Sequence, residues 1–408
     1  MAEHGAATKE RIVLAYSGGV DTSVAIPWLA EQYDAEIVTV TLDLGQGREL
    51  DEVRDRALST GAVRAHVLDV RDEFARDYIL PALQANAVYE RHYPLATALG
   101  RPLIAKKLVE VARFEQATAI AHGCTGKGND QIRIEVSARA LEPGIRIIAP
   151  GREWGLSRTG AIGYARQRGI PIPATLESPY SMDRNLWGRS VQAGVLEDPW
   201  LEPPEDIWAL SKAPQKAPDE PALVEVTFES GVPVAVNGVE MPFADLIDSL
   251  STIAGAHGVG RLDMVETRLV GIKSREVYEA PAAVVLHLAH RELEAFVTTA
   301  ALGRFKQAVA VEYADLVYNG SWFTPLREAL DAFVAKVQER VTGVIRLKLF
   351  KGDCRVVGRR SPYGLYDHGL STYDEGDVFD MAAAAGFIKI YGLPVETAAR
   401  NAPAHDGK

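Results

Sequence analysis

The apolar run Arg11-Ile12-Val13-Leu14 passes directly into Ala15-Tyr16-Ser17-Gly18-Gly19-Val20-Asp21-Thr22-Ser23, and this junction constrains the fold more than any other stretch. A short apolar run, two glycines and then helix-compatible residues read as a buried strand turning tightly into a helix. That geometry makes an anion cradle. Adjacent glycines let backbone N–H groups converge without Cβ interference, the hydroxyls of Ser17, Thr22 and Ser23 add donors, and the helix contributes its positive N-terminus. The spacing is not G-x-x-x-x-G-K-[ST], and the third glycine of the dinucleotide fingerprint is absent, so a different nucleotide chemistry is indicated.

Downstream, strands and helices alternate. The pattern predicts a helix over Val24–Tyr33 with Pro27 as a mild kink, a strand over Glu36–Leu44, a helix over Glu49–Ser59, a strand over Arg64–Val70, helices over Glu73–Val88 and Leu103–Glu115, and a strand over Ala117–His122. Gln131–Leu141 and Ile145–Ala149 complete the series. Residues 8 to about 170 thus read as an open α/β layer on a mostly parallel sheet, with helices on both faces. Ligands of such sheets sit outside the carboxyl ends of the strands, where Ser17 and Gly123 fall. Residues 171–221 carry nine of the 22 prolines and read as extended connector. An α+β domain follows, with a hairpin over Val224–Val236, a helix near Phe243–Ala254, a strand over Arg261–Val270, helices over Ala282–Ala301 and Leu326–Val341, and a hairpin through Lys351-Gly352-Asp353. The expected division is 1–170, 171–370 and a C-terminal helical arm at 371–408. Its apolar helix, Asp377–Tyr391, reads equally as a local lid or an intersubunit arm.

With 47% hydrophobic and 24% charged residues, the 408-residue chain reads as globular and long enough for two or three cores. A net charge of −11 argues against a nonspecific nucleic-acid binder, which needs a basic face. No run approaches the ~18 apolar residues of a membrane helix. Two cysteines, Cys124 and Cys354, make no disulfide framework, and Met1-Ala2-Glu3-His4-Gly5 lacks an apolar leader core, so a cytoplasmic location is expected.

A second anion-receptive turn stands at His122-Gly123-Cys124-Thr125-Gly126-Lys127-Gly128-Asn129-Asp130-Gln131-Ile132-Arg133, again after a strand and opening a helix. Asn129 and Arg133, four apart, share a helical face, with Thr125 and Lys127 in the loop above. Arginine in a first helical turn opposes the helix dipole, which points to an anion nearby, and its fork suits a carboxylate.

The first motif resembles the pyrophosphate loop, S-G-G-x-D-[ST]-[ST], of the ATP pyrophosphatases, which cleave ATP between the α and β phosphates to make an adenylated intermediate. Taken with the second, with Leu42-Asp43-Leu44-Gly45-Gln46, Tyr180-Ser181-Met182-Asp183, Gly258-Val259-Gly260-Arg261, Val265-Glu266-Thr267-Arg268 and Gly271-Ile272-Lys273-Ser274-Arg275 in that order, the whole chain resembles the argininosuccinate synthase family. The resemblance implies an ATP-dependent C–N ligase that joins citrulline to aspartate through a citrullyl-adenylate, releasing AMP and pyrophosphate. By the same resemblance Ala15, Tyr16, Ser17, Gly18, Gly19, Val20, Asp21, Thr22, Ser23, Leu42 and Gly123 contact ATP. Thr125, Asn129 and Asp130 hold aspartate, while Tyr93, Ala98, Asn129, Arg133, Ser181, Ser190, Glu266 and Tyr278 line the citrulline site. Asp21, Asp130 and Arg133 are the expected catalytic residues, Mg2+ accompanies ATP with Asp21 as one ligand candidate, and the assembly is a homotetramer. Arg133 suits the citrulline carboxylate, and Glu266 or Asp130 an ammonium group.

Read alone, Tyr93 and Tyr278 are more often half-buried packing residues, Ser181 a turn or helix-capping residue, Glu266 an exposed strand charge pairing with Arg268, and His122 and His257 structural groups. Other readings are an amidotransferase, a tRNA-thiolating relative or a non-catalytic nucleotide-binding regulator. Residue 2 is Ala and Cys124 lacks the G-x-C-x-G context of a glutaminase elbow. No C-x-x-C pair or basic face supports thiolation, and a regulator leaves Glu266 to Tyr278 unexplained. One departure stands out: Ala98 falls where the family has a citrulline-contacting Ser. Thr97, a bridging water or weaker binding are the readings of that loss.

Overall fold

The computed structural model describes residues 9–47, 50–126, 128–155, 158–171 and 179–402. Residues up to Tyr363 make one compact unit and those from Gly364 a second. In the first unit the chain runs β1 (Arg11–Ala15), α1 (Val20–Tyr33), β2 (Glu36–Asp43), α2 (Leu50–Ser59) and β3 (Arg64–Asp69). Next come α3 (Arg71–Phe74), a π-helical turn at Ala75–Ile79, and α4 (Leu80–Ala85). Then follow α5 (Ala96–Phe114), β4 (Ala119–Ala121), α6 (Asp130–Leu141), β5 (Arg146–Ile148), α7 (Pro150–Glu153) and α8 (Arg158–Gln167). The five strands are parallel, in the order β3-β2-β1-β4-β5.

This order fixes where a ligand goes. From β1 the chain moves outward through β2 to β3, and from β4 outward the other way to β5. The reversal therefore lies between β1 and β4, whose carboxyl ends leave a crevice. Both glycine-rich turns emerge there. Along β1 side chains alternate, Ile12 and Leu14 packing with Ile37 and Leu29 on one face while Val13 joins Val38, Val40 and Ile120 on the other.

The longest core helix of this layer, α5, begins before the expected Leu103. Glycine and proline are the weakest helix formers, yet the helix passes through both Gly100 and Pro102. Its first turn is capped from outside: the Tyr93 phenol oxygen accepts from the backbone N–H of Thr97 at 2.9 Å and of Ala98 at 3.2 Å. The buried Leu99, Leu103 and Leu108 of α5 belong to one apolar cluster reaching from Val13 to Tyr278, Trp322 and Leu347.

Beyond α8 come β6 (Ser181–Asn185), β7 (Gly188–Gln192), β8 (Ala222–Glu229), β9 (Val232–Val236), β10 (Val239–Glu240) and α9 (Phe243–Ala256). They are followed by β11 (Arg261–Thr267), β12 (Lys273–Glu279), α10 (Pro281–Val297), α11 (Ala300–Tyr318), α12 (Pro325–Gln338), β13 (Gly343–Phe350) and β14 (Asp353–Arg360). They form two mixed-order sheets of antiparallel pairs, β10-β9-β8-β13-β14 and β11-β12-β7-β6. Two expectations are corrected here. The proline-rich stretch 171–221 is not all connector: β6 and β7 form a hairpin, and Trp187 between them is buried, its indole N–H donating to Pro94 O at 2.9 Å. Residues 172–178 of that stretch lie outside the description. The single helix expected over Ala282–Ala301 ends at Val297, and a second, α11, starts after Thr299, whose hydroxyl accepts from Leu302 N.

The second unit contains α13 (His368–Ser371) and α14 (Met381–Arg400). The helix α14 runs past the expected Tyr391 and through Pro394, with Asp380 accepting from Ala382 N and Ala383 N at its start. Phe387 and Tyr391, one turn apart, stack at 5.3 Å.

Candidate active site

The loop after β1 is built from short-range bonds. Gly18 has φ +73°, which a β-carbon would strain, and such a carbon would also lie 3.1 Å from Val53 Cγ1. The requirement for glycine at 18 is thus first conformational. At Gly19, φ is −79° and an added β-carbon meets only Ser17 Oγ at 3.3 Å. Ser17 Oγ and Thr22 Oγ1 are 3.2 Å apart, and the buried Tyr16 phenol lies 3.0 Å from Ser23 Oγ, so the hydroxyls expected to face phosphate also fix one another. Val20 is buried, while Asp21 is exposed in the first turn of α1. The Arg56 guanidinium donates to Gly18 O at 2.8 Å. Leu42 closes the edge of β2, its carbonyl accepting from Gln46 Nε2.

Across the crevice, the loop after β4 touches the first. A β-carbon on Gly123 would lie 2.8 Å from Thr22 Cγ2, so this pair of loops approaches as closely as glycine allows. His122 is buried and structural, its Nδ1 accepting from Cys124 N at 3.3 Å and its Nε2 lying 3.2 Å from Glu135 Oε1. Burial, reinforced by the charge of Asp130, pushes the Cys124 thiol up to about 12, which removes it as a nucleophile. Thr125 is exposed at the rim. Lys127 lies outside the described residues.

Helix α6 carries the site into the second sheet. Arg133 is buried: its Nε donates to Tyr318 O at 2.8 Å and its Nη1 to Asp130 Oδ1 at 2.9 Å, while its guanidinium lies 4.7 Å from the Tyr318 ring centre. Among the described residues its Nη2 is buried without a partner. A guanidinium nitrogen left so is a vacancy for an anionic oxygen. The other oxygen of Asp130 accepts from Arg101 Nη2 at 2.9 Å, and that same nitrogen binds Asp183 from β6. Although burial pushes the Asp130 carboxyl upward, the charges of Arg101 and Arg133 hold it down at about 2.

On the facing strands, Glu266 is buried rather than exposed. Its two oxygens accept from the phenols of Tyr278 at 2.5 Å and Tyr318 at 2.6 Å. Asn129 Nδ2 donates to Tyr318 Oη at 2.8 Å and its Oδ1 accepts from Leu269 N at 3.0 Å, pinning the start of α6 to the β11–β12 turn. Tyr93 stacks on Tyr278 with centroids 4.1 Å apart, and Tyr89 on Tyr318 at 3.5 Å. Both Tyr93 and Tyr278 are therefore buried packing groups and part of this polar cluster.

Strand β7 sets Ser190 opposite Tyr278, and Thr97 Oγ1 donates to Ser190 Oγ at 3.3 Å. Ala98 is fully buried beside it. Ser181 is exposed at the start of β6, opposite Gln192. Five elements thus bring Tyr93, Asn129, Asp130, Arg133, Ser190, Glu266 and Tyr278 together, and Ser181 stands at the margin. Sequence reasoning missed Arg101 and Tyr318. Neither belongs to a motif: Arg101 sits between two apparent helix breakers, and Tyr318 ends a helix the pattern did not separate.

Residues 11–171 match the family model described as "Arginosuccinate synthase N-terminal HUP domain", and residues 180–398 match "Arginosuccinate synthase C-terminal domain". The chain belongs to the argininosuccinate synthase family. It is 58% identical over 389 residues to the argininosuccinate synthase of Symbiobacterium thermophilum, covering 95% of this chain and 97% of that protein. The argininosuccinate synthase of Dictyoglomus turgidum is 55% identical over 385 residues, covering 94% and 96%, and that of Streptococcus suis 54% identical over 389, covering 95% and 98%. The chain is accordingly an ATP-using C–N ligase of this family.

Proposed function

We propose that the loops after β1 and β4 seat ATP while the Arg133–Glu266 cluster seats citrulline, so that the ureido oxygen of citrulline meets the α-phosphate at the sheet edge. In the first step that oxygen bonds to phosphorus and the bond to the β-phosphate oxygen breaks, releasing pyrophosphate. In the second the aspartate amine attacks the ureido carbon and AMP leaves with the oxygen, its amine protons passing to solvent or buffer. A ureido oxygen is a poor leaving group, and adenylation makes it a good one. Holding the two reactants and their charges in register is the main task of the chain.

The observation that carries the citrulline reading is the buried Nη2 of Arg133, without a partner among the described residues, on a side chain that holds Asp130 and lies over the Tyr318 ring, whose phenol donates to Glu266. An amino-acid zwitterion needs one cationic and one anionic partner. Both oxygens of Asp130 are engaged by arginine cations, whereas those of Glu266 accept from neutral phenols, which favours Glu266 as the ammonium partner and gives Asp130 the work of orienting Arg133. Thr125 and Asn129, with the Asp130 end of α6, are the proposed aspartate rim. Pyrophosphate release tests the scheme: sustained release should require citrulline and aspartate together, and sustained release with citrulline omitted would overturn it.

Mg2+ is proposed to accompany ATP. Among the described residues no group of three or more His, Cys, Asp or Glu could hold a metal by itself. A Mg2+ ion held by one or two carboxylates, phosphates and water needs no such group, and the exposed Asp21 beside the cradle fits that donor set. The bound ion would neutralise phosphate charge. We also propose a homotetramer in which α14, with Phe387, Ile388, Ile390 and Tyr391 exposed, is an intersubunit arm. Light scattering should then give the mass of four chains. No described helix is long and apolar enough to cross a membrane, and a cytoplasmic location is part of the same proposal.

A further inference from the structure

Glu266, Tyr278 and Glu276 align three oxygens. The Tyr278 phenol oxygen lies 2.5 Å from Glu266 Oε2 and 3.0 Å from Glu276 Oε2. A phenol owns one proton and donates it to one acceptor only. The shorter contact takes it, and Tyr318 donates to the second oxygen of Glu266, so both oxygens of Glu266 are acceptors. Glu276 Oε2 then faces phenol lone pairs. That contact is attractive only when Glu276 carries a proton of its own and donates it to the phenol oxygen.

The charged and titratable surroundings agree. Facing Glu276 are Glu266 of β11, Tyr278 of its own strand, Asp130 at the start of α6, and Arg268, whose Nη2 lies 3.2 Å from Glu276 Oε1. Arg268 also serves Ser274 Oγ and Gln192 Oε1, so its charge is divided. Burial, then the charge of Glu266, push the Glu276 carboxyl up to about 7 against the pull of Arg268 and of the Tyr278 contact.

Resting on the citrulline reading above, we propose that Glu276 is a further substrate-binding carboxyl, protonated in the free enzyme, which gives up its proton when the α-ammonium of citrulline enters beside Glu266 and Tyr278. The Glu276 O–H bond breaks and its proton goes to buffer. The ammonium keeps all of its own protons and hydrogen-bonds to the new carboxylate, so charge and atoms balance. Two arginines bind the single carboxylate of Asp130, whereas Arg268 alone faces the two carboxyls of Glu266 and Glu276, so that pair is the more anionic surface for the ammonium.

The test is calorimetric titration of citrulline into the full-length enzyme with α,β-methylene-ATP, in buffers of different ionisation enthalpy. At pH 6 the parent should release close to one proton per citrulline bound, and Glu276→Gln none. In steady state the parent's citrulline KM should fall about tenfold from pH 6 to pH 8, because free Glu276 must lose its proton to bind. Glu276→Gln should show a nearly flat profile with a KM several-fold above the parent's at pH 8. A parent that releases no proton, or a Glu276→Gln enzyme with the parent's release and slope, overturns the proposal. Arg133→Gln in the same titration separates the two readings. If it binds citrulline as tightly as the parent, the citrulline site is misassigned. If it binds weakly while Glu276→Gln still releases the proton, the site stands and only the role of Glu276 fails. Should Glu276→Gln not fold, the proton count and the KM slope of the parent decide alone.

Discussion

The proposed nucleotide crevice and the proposed citrulline pocket lie on the same helix–strand framework but are made of different material. Around Gly18 and Gly123 the working groups are backbone N–H groups and hydroxyls within a few residues of one another, such as Ser17 with Thr22. Around Arg133 they are side chains from distant parts of the chain: Asn129 reaches Tyr318 across 189 positions, and Asn185 donates to Ala96 O across 89. A backbone site fails when the chain cannot take its dihedral angles or when a β-carbon fills it. A side-chain site fails one partner at a time. Substitutions in the two regions should therefore separate ATP from citrulline in the kinetics.

The largest effect should come from Arg133→Gln. Removing one member of a hydrogen-bonded charge pair costs roughly 2 to 5 kcal/mol, so the citrulline KM should rise by at least about 30-fold. The ATP KM should move less than about threefold. Steady-state kinetics with each substrate varied reads both, and equal losses would erase the contrast between the regions by making Arg133 a brace for the whole crevice. Some loss of thermal stability is also expected, because Asp130 and Tyr318 O lose a buried donor.

The crevice offers a graded pair. Gly19→Ala keeps an allowed φ and meets only Ser17 Oγ, so the variant should fold normally while its methyl group intrudes on the phosphate, raising the ATP KM on the order of tenfold. Gly18→Ala must hold φ +73° and should lose about 1 to 2 kcal/mol of stability as well. Thermal melts with ATP and citrulline titrations distinguish them. If Gly19→Ala left ATP use intact while Gly18→Ala abolished it, the loop would act through its shape alone and no phosphate would approach the backbone there.

This difference in material also decides what the sequence discloses. Strand, glycines and helix are adjacent in the chain, so the parallel layer and the crevice are legible from Arg11 to Ser23 and again from Ala119 to Arg133. Arg133 stands out in the sequence too, because its charge opposes the helix dipole. Taken without the resemblance that puts it in the citrulline site, Glu266 reads as an exposed strand charge, since strand alternation gives no warning that Tyr278 and Tyr318 will cover it from another strand and a helix. Arg101 was hidden by Gly100 and Pro102, whose local propensities were overridden when Tyr93 capped α5 and the core packed along it. The hairpin of β6 and β7 was hidden by proline density around it, although Asn185 and Trp187 anchor it to the backbone beside α5.

The smallest expected effect concerns the hydroxyl missing at Ala98. Ala98 is completely buried, its N–H bound to the Tyr93 phenol, and a serine there would have to fit a hydroxyl into packed space. Thr97, one residue earlier and only partly buried, donates to Ser190 Oγ at 3.3 Å at the end of the pocket where Tyr278 pairs with β7. A hydroxyl that orients another hydroxyl toward substrate contributes about 0.5 to 1.5 kcal/mol, so Thr97→Val should raise the citrulline KM roughly two- to tenfold and leave the ATP KM unchanged. Ser190→Ala should cost no less, and the double variant no more than the larger single change, because the pair acts as one unit. Ala98→Ser, added to Thr97→Val, should recover part of the loss if the serine rotamer reaches the pocket. If Thr97→Val leaves the citrulline KM untouched while Ala98→Ser alone lowers it, the contact is simply absent from this enzyme and Thr97 does not replace it. If both changes alter the ATP KM instead, the boundary between the two regions lies on the wrong side of α5.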